Sequence, residues 1–218
     1  MISYDKPTVS LRTYKDYLVY LSNSHNVGVS VDDKKNFLEV SKKVNDLGLD
    51  IEYLWSNMDI ITNDGLPYVG EIQDKLLLAT GYNTWGLATS VLAGKILSDM
   101  IGGIDNEYVE LFNPKRANLG MVVGGVVDGV VSLEGYFNGY ITDNKNITYD
   151  KIDGKEIAIY KDKLGEHKVY TKCPHMGCRL LFNEVEKTWD CPCHASRFDI
   201  DGKCISGPSN EDIGVENA

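Results

Sequence analysis

All five cysteines of this 218-residue chain fall between Cys173 and Cys204, and the residues before Cys173 contain none. Four of them, with two histidines, form two short clusters: Cys173-Pro-His175-Met-Gly-Cys178 and Cys191-Pro-Cys193-His194. Cysteines that staple a small secreted fold are spread along it, whereas cysteines packed beside histidines suggest metal. Thiolate and imidazole ligate zinc, copper and iron–sulfur centres alike, so the residue types alone leave the metal open. Spacing narrows the choice. A structural zinc site usually pairs Cys with Cys in one arm and His with His in the other. Here each arm mixes Cys with His. Mixed arms suit a 2Fe-2S cluster in which one iron takes two thiolates and the other two imidazoles, because each loop can offer one ligand to each iron.

The two clusters, followed by Ala195-Ser-Arg-Phe-Asp-Ile-Asp-Gly-Lys-Cys-Ile-Ser-Gly-Pro208, resemble a Rieske domain over about the last 75 residues of the chain. The resemblance implies that Cys173 and Cys191 ligate a buried iron, and that His175 and His194 ligate an outer, more exposed one. It also implies a disulfide between Cys178 and Cys193 that ties the loops together and is shielded from reduction by the cluster. Ser196 is then the residue whose hydroxyl donates to a bridging sulfide. Phe198 stands where high-potential relatives have a Tyr, and Ala195 stands where the family usually has Gly. Gly207-Pro208 resembles the rigid loop that covers the cluster. Exchanging two thiolates for neutral imidazoles raises the potential into a window of roughly -150 to +300 mV. With one second-sphere donor present and one missing, the expected midpoint lies in the middle of that window. Cys204 is read as a small packed hydrophobe, and His25 and His167 as surface or packing residues.

Composition limits the partners. The formal net charge is -10, which argues against nucleic acid and anionic membrane surfaces and favours a basic or neutral electron donor or acceptor protein. Met1–Tyr20 carries Asp5, Lys6, Arg12, Lys15 and Asp16, so no secretory apolar core interrupts it and a cytoplasmic location is expected. The most apolar run, Leu119–Val131, contains Asp128 and four glycines. It is too short to cross a hydrocarbon layer of roughly 30 Å.

The expected fold class is α+β. Residues 1–116 read as mixed sheet and helix, 117–141 as a Gly- and Val-rich linker, and 142–218 as a small all-β domain. Tyr17–Ser22, Gly28–Val31 and Leu76–Ala79 have strand-like composition, as do Glu156–Tyr160 and His167–Thr171. Phe37, Val40, Val44 and Leu47 recur at helical spacing behind an Asp cap, and a second helix is expected from Trp85 to Ile101, stopped by Gly102-Gly103.

Within residues 1–116, the stretches Trp55–Gly70, Leu78–Ala88 and Lys6–Arg12 resemble the C-terminal part of FAD-dependent oxidoreductases of the D-amino-acid oxidase or glycine oxidase type. The resemblance implies a partial substrate or cap domain in which Gly81, Tyr82, Asn83 and Gly86 approach a flavin at a helix N-terminus. The dinucleotide-binding half of that family, with G-x-G-x-x-G after a strand, has no counterpart here. FAD is therefore expected only with a partner half, either a complementary FAD-binding chain or a self-associated copy. The function so implied is that of a Rieske electron-transfer protein or subunit of a flavin-dependent oxidoreductase. Its alternatives are an amine- or amino-acid-oxidising flavoenzyme active only with a separate FAD-binding half, and a non-catalytic remnant. A ring-hydroxylating dioxygenase is disfavoured, since the sequence offers no 2-His-1-carboxylate site outside the two clusters.

Overall fold

The computed structural model describes residues 2–3, 9–27, 32–116, 119–141 and 146–215. The chain divides into two compact units, one formed by Met1–Trp55 with Val131–Ala218 and the other by Ser56–Val130.

The first unit begins with β1 (Ile2–Ser3), β2 (Val9–Tyr14) and β3 (Tyr17–Leu21), an antiparallel sheet in that order. Its third strand is the β-branched and aromatic run expected from sequence, and Tyr14 pairs with Tyr17 across the turn. Helix α1 (Asp33–Asp46) starts because the Asp32 side chain accepts from the Lys35 amide at 2.9 Å, satisfying a free N–H of the first turn. Phe37, Val40 and Val44 form its half-buried face, while Leu47, just past the end, is exposed. The strand expected at Gly28–Val31 lies outside the described residues.

The second unit pairs β4 (Tyr68–Gln73) with β5 (Leu76–Thr80) and then runs into α2 (Gly86–Gly102). Gly103, in the left-handed region at φ 65°, stops the helix with its amide turned back to the last carbonyls, as its position after the apolar run predicts. Val69, Ala93, Ile96 and Phe112 form the core of this unit. Arg116 closes it. Its guanidinium contacts both Asp64 carboxylate oxygens at 2.8 and 2.9 Å, reaches the Leu66 and Pro67 carbonyls and lies 4.2 Å over the Tyr68 ring.

Helix α3 (Leu119–Ile141) occupies the stretch read from sequence as a Gly- and Val-rich linker with no conformation assigned. Glycine weakens an isolated helix by about 1 kcal/mol per residue, so local propensity does not announce this element. Among the described residues no helix is long and apolar enough to cross a membrane.

The rest of the first unit is built from two antiparallel sheets. One holds β6 (Ile147–Ile152), β7 (Lys155–Lys161) and β8 (Glu166–Tyr170) in sequence order. The other holds β9 (Leu181–Asn183), β10 (Thr188–Asp190), β11 (Arg197–Phe198) and β12 (Cys204–Ser206), again with each strand beside the next. Alternation places Phe182, Trp189 and Phe198 on one face of this sheet, where Trp189 pairs directly with both neighbours. The Tyr160 ring stacks 4.5 Å from Phe182, and Phe182 lies 4.7 Å from Trp189. One aromatic ladder therefore joins the two sheets, and Ala158, Val169 and Ile213 complete the core with the cysteines of the two clusters.

Candidate metal centre

Both Cys/His clusters are loops between strands of the first unit, and both are the same turn. In the first, the Cys173 amide donates to the Cys178 carbonyl at 2.8 Å and the Gly177 amide donates back to the Cys173 carbonyl at 2.8 Å. In the second, the Cys191 amide donates to the Ser196 carbonyl at 2.8 Å and the Ala195 amide to the Cys191 carbonyl at 3.0 Å. Each turn needs a left-handed residue four positions after its first cysteine. Gly177 supplies it at φ 75°, and Ala195 at φ 65°.

This repeated geometry carries the functional side chains to equivalent places. Cys173 and Cys191 are 2% and 3% exposed, whereas His194 is half-buried and His175 exposed. The two imidazole rings stand edge to face with centroids 4.9 Å apart. Cys178 and Cys193 form a disulfide between the loops. The sulfurs of Cys178, Cys191 and Cys193 lie within 4.8 Å of one another, but two of them share that bond and are spent as thiolate donors.

The electrostatics suit a donor set. The hydrogen bond offered by Cys191 lowers the Cys173 thiol to about 5 against the opposing effect of burial, with the His175 amide and the Ser196 hydroxyl also stabilising its thiolate. The same hydrogen bond, together with burial, pushes the Cys191 thiol up. A thiol so lowered gives up its proton readily, and one so raised gives it up to a positive charge such as a metal ion. Burial, and then the neighbouring His175, lower His194, which keeps its ring neutral and a nitrogen lone pair free to bind. Two sulfurs below and two imidazoles at the rim fit a mixed Cys/His iron–sulfur centre.

The surroundings contain residues that sequence reasoning missed. Ser132 in α3 donates to the Cys193 carbonyl at 3.3 Å. Gly135 and Gly139 are buried one and two turns further along, and a Cβ on Gly139 would stand 2.7 Å from the Arg179 carbonyl. The only sequence signal for this contact is the run of small residues at helical spacing. Ser196 is fully buried and accepts from the Ser209 amide at 2.9 Å. Phe198, also fully buried, presents no hydroxyl. Cys204 packs against the core as expected, and its thiol also donates to the Ser209 carbonyl at 3.2 Å. His167 is held by Asp201 at 2.6 Å and Asp162 at 3.3 Å, and His25 is exposed.

The residues singled out for flavin contact lie in the second unit. Gly81 leaves β5 at φ 71°, Tyr82 packs against the core, and Asn83 and Thr84 both have positive φ. The loop is pinned where the Asn83 carboxamide oxygen accepts from the Thr62 amide at 2.7 Å and its nitrogen donates to the Gly81 carbonyl at 3.0 Å. Gly86 opens α2, whose N-cap Trp85 makes no side-chain capping bond.

A pair of buried thiols beneath two rim imidazoles, on twin turns joined by a disulfide, defines a Rieske-type iron–sulfur domain. Comparison with known proteins agrees: residues 139–216 match the family model of the Rieske [2Fe-2S] domain. Residues 6–100 match that of FAD dependent oxidoreductases. The chain thus has an N-terminal FAD-dependent oxidoreductase domain and a C-terminal Rieske domain. The former implies FAD and the latter a 2Fe-2S cluster.

The chain is 30% identical to a putative Rieske 2Fe-2S iron-sulfur protein, YhfW, of Bacillus subtilis (strain 168), over 95% of this chain but only 45% of that protein. It is 25% identical to the cytochrome b6-f complex iron-sulfur subunit of Microcystis aeruginosa, covering 74% of this chain and 85% of that one. Among solved structures, the cyanobacterial plasma membrane Rieske protein PetC3 from Synechocystis PCC 6803 aligns with a TM-score of 0.30 at 22% identity, over 32% of this chain and 73% of that one. The chain spans less than half the length of its B. subtilis relative.

Proposed function

We propose that this chain is the electron-transfer part of a flavin-dependent oxidoreductase, with Cys173, Cys191, His175 and His194 holding a 2Fe-2S cluster. In this reading residues 1–116 form the flavin-oxidoreductase part, 117–141 the connection and 142–218 the cluster domain. The cluster supplies a one-electron carrier of raised potential. The protein supplies everything that gives the carrier direction. Buried thiols exclude water from the inner side, and the exposed His175 and half-buried His194 imidazoles form the edge through which a partner is met. The observation that carries the reading is geometric: two buried thiols, Cys173 and Cys191, stand on twin turns whose histidines bring their rings to 4.9 Å between centroids. The partner is an electron donor or acceptor protein, basic or neutral in view of the net charge of -10, and the setting is cytoplasmic.

The match over residues 6–100 favours a second reading: oxidation of an amine or amino acid at FAD bound jointly with a complementary chain or a second copy, the cluster acting as electron outlet. The pinned loop of Gly81, Tyr82 and Asn83 leading into Gly86 would contribute backbone N–H groups to that flavin.

Both readings are tested by low-temperature EPR of the purified, dithionite-reduced protein, with iron, sulfide and flavin assayed on the same sample. The expected result is a rhombic signal of low average g, with iron and sulfide in equal amounts. Flavin in the same sample would favour the second reading over a lone carrier. Zinc without iron overturns the proposal.

A further inference from the structure

The packed face of α3 carries almost no side chain. Ser132, Gly135 and Gly139 fall on one side of the helix at spacings of three and four residues, and both glycines are buried. Ser132 donates to the Cys193 carbonyl at 3.3 Å. Further along, the Gly139 backbone comes so close to Arg179 that a Cβ there would stand 2.7 Å from the Arg179 carbonyl oxygen. The Arg179 guanidinium also lies 5.8 Å over the ring of Tyr140, the next residue of the helix. The helix is thus anchored on Cys193 in one loop and on the neighbour of Cys178 in the other.

Cys178 and Cys193 are the disulfide partners, with Cα atoms 6.5 Å apart. From Ser132 to Gly139 the helix axis advances about 10 Å, so the packed face is long enough to span the bridge. Both cysteines are buried, at 4% and 6% exposure, and the Cys191 sulfur lies within 4.8 Å of both bridge sulfurs. A larger side chain at Gly139 would hold the helix off the loops. The glycines weaken the helix taken by itself, and the close seat they permit is what they supply in return.

We propose that α3 is a lid over the Cys178–Cys193 disulfide, and that seating or lifting it decides whether external thiols open the bond. Exchange begins when a thiolate reaches one sulfur of the pair; the S–S bond breaks, and the other cysteine leaves as a thiolate that takes up a proton. With a dithiol as reductant, its second thiol then displaces the first cysteine sulfur. Two protein thiols and a cyclic disulfide of the reagent remain. In thiol-rich surroundings, such as the cytoplasm proposed above, the bridge between the loops lasts only while the helix stays down. The lid acts on the disulfide whichever metal the four donors hold.

The test is the rate at which dithiothreitol reduces the bond in the full chain with its metal centre, read by mass spectrometry as alkylation of Cys178 and Cys193. Gly139→Ala and Gly129→Ala are a matched pair. Each puts a better helix former into the same helix, but a Cβ on Gly129 has nothing within 4 Å, whereas one on Gly139 meets the Arg179 carbonyl. Gly139→Ala is expected to be reduced about five- to a hundredfold faster than the parent, and Gly129→Ala at the parent rate. Ser132→Ala loses the hydrogen bond without adding bulk; a smaller acceleration is expected, and it carries the test if Gly139→Ala does not fold. Lifting one helix exposes little surface, so the acceleration should depend only weakly on added urea, whereas global unfolding depends on it steeply. Parent rates in both Gly139→Ala and Ser132→Ala, an equal acceleration in Gly129→Ala, or a urea dependence as steep as that of unfolding overturns the lid.

Discussion

Ala195 stores a backbone cost at the centre of the site. It takes the left-handed conformation that Gly177 takes in the twin turn, at φ 65° against 75°. That conformation costs an L-residue roughly 1–2 kcal/mol, whereas glycine adopts it freely. Glycine also gives the unfolded chain more freedom, which offsets about 0.4–1 kcal/mol of the gain. Ala195→Gly is thus expected to stabilise the domain by about 0.5–1 kcal/mol in urea unfolding. A loss of stability would mean that the Ala195 methyl contributes packing that outweighs the strain. His167 shows a charge effect at the same scale. Its hydrogen bond to Asp201 raises its pKa against the opposing effect of burial, and Asp162 adds to the rise. The folded state therefore holds the proton more tightly than the unfolded chain, whose value is about 6.5. The contribution is fully present below that value and is lost as pH rises through the raised folded value. Unfolding midpoints measured from about pH 6 upward should fall for the parent, and His167→Gln should remove that part of the slope. A parent that gains stability over the same window would refute the ion pairing.

The disulfide belongs to the scale of elements, because it joins the loop of Cys173 and His175 to the loop of Cys191 and His194. Cys178 and Cys193 are 15 residues apart in sequence and both buried. Closing a loop of that length restricts the unfolded chain by about 3 kcal/mol. The Cys178→Ala/Cys193→Ala pair is expected to lose roughly that much stability in denaturant titration. A smaller loss would indicate that the twin turns hold each other without the bond. Helices α1 and α2 were legible, since an Asp cap, apolar residues at helical spacing and a terminal Gly are local signals. Strand β3, and the hairpin of β7 and β8, were legible for the same reason. Helix α3 was not, because its glycines argue against helix locally and its support comes from the Ser132 hydrogen bond to the Cys193 carbonyl and the close approach of Gly139 to Arg179. The strands from β9 to β12 are two or three residues long, too short for a period to show, and only their pairing makes them a sheet.

For the whole molecule, composition and motif spoke to different questions. A charge of -10 bears on the kind of partner the chain meets, and says nothing about its fold. The division into Met1–Trp55 with Val131–Ala218, and Ser56–Val130, has no compositional trace, since it depends on contacts between segments more than 70 residues apart in sequence. By itself the sequence carried the residue types of the centre: two short arms that each mix Cys with His, a second cysteine in each arm, and a serine close behind the second arm. These are properties of residue type and spacing, which a linear chain carries in full. The tertiary structure alone decided that the second loop accepts an Ala where its twin needs a Gly, that Ser132 reaches the loop of Cys193, and that Cys204, through Ser209, stands behind Ser196. Such facts depend on which distant backbone groups arrive within about 3 Å of one another, a distance set only when the core closes.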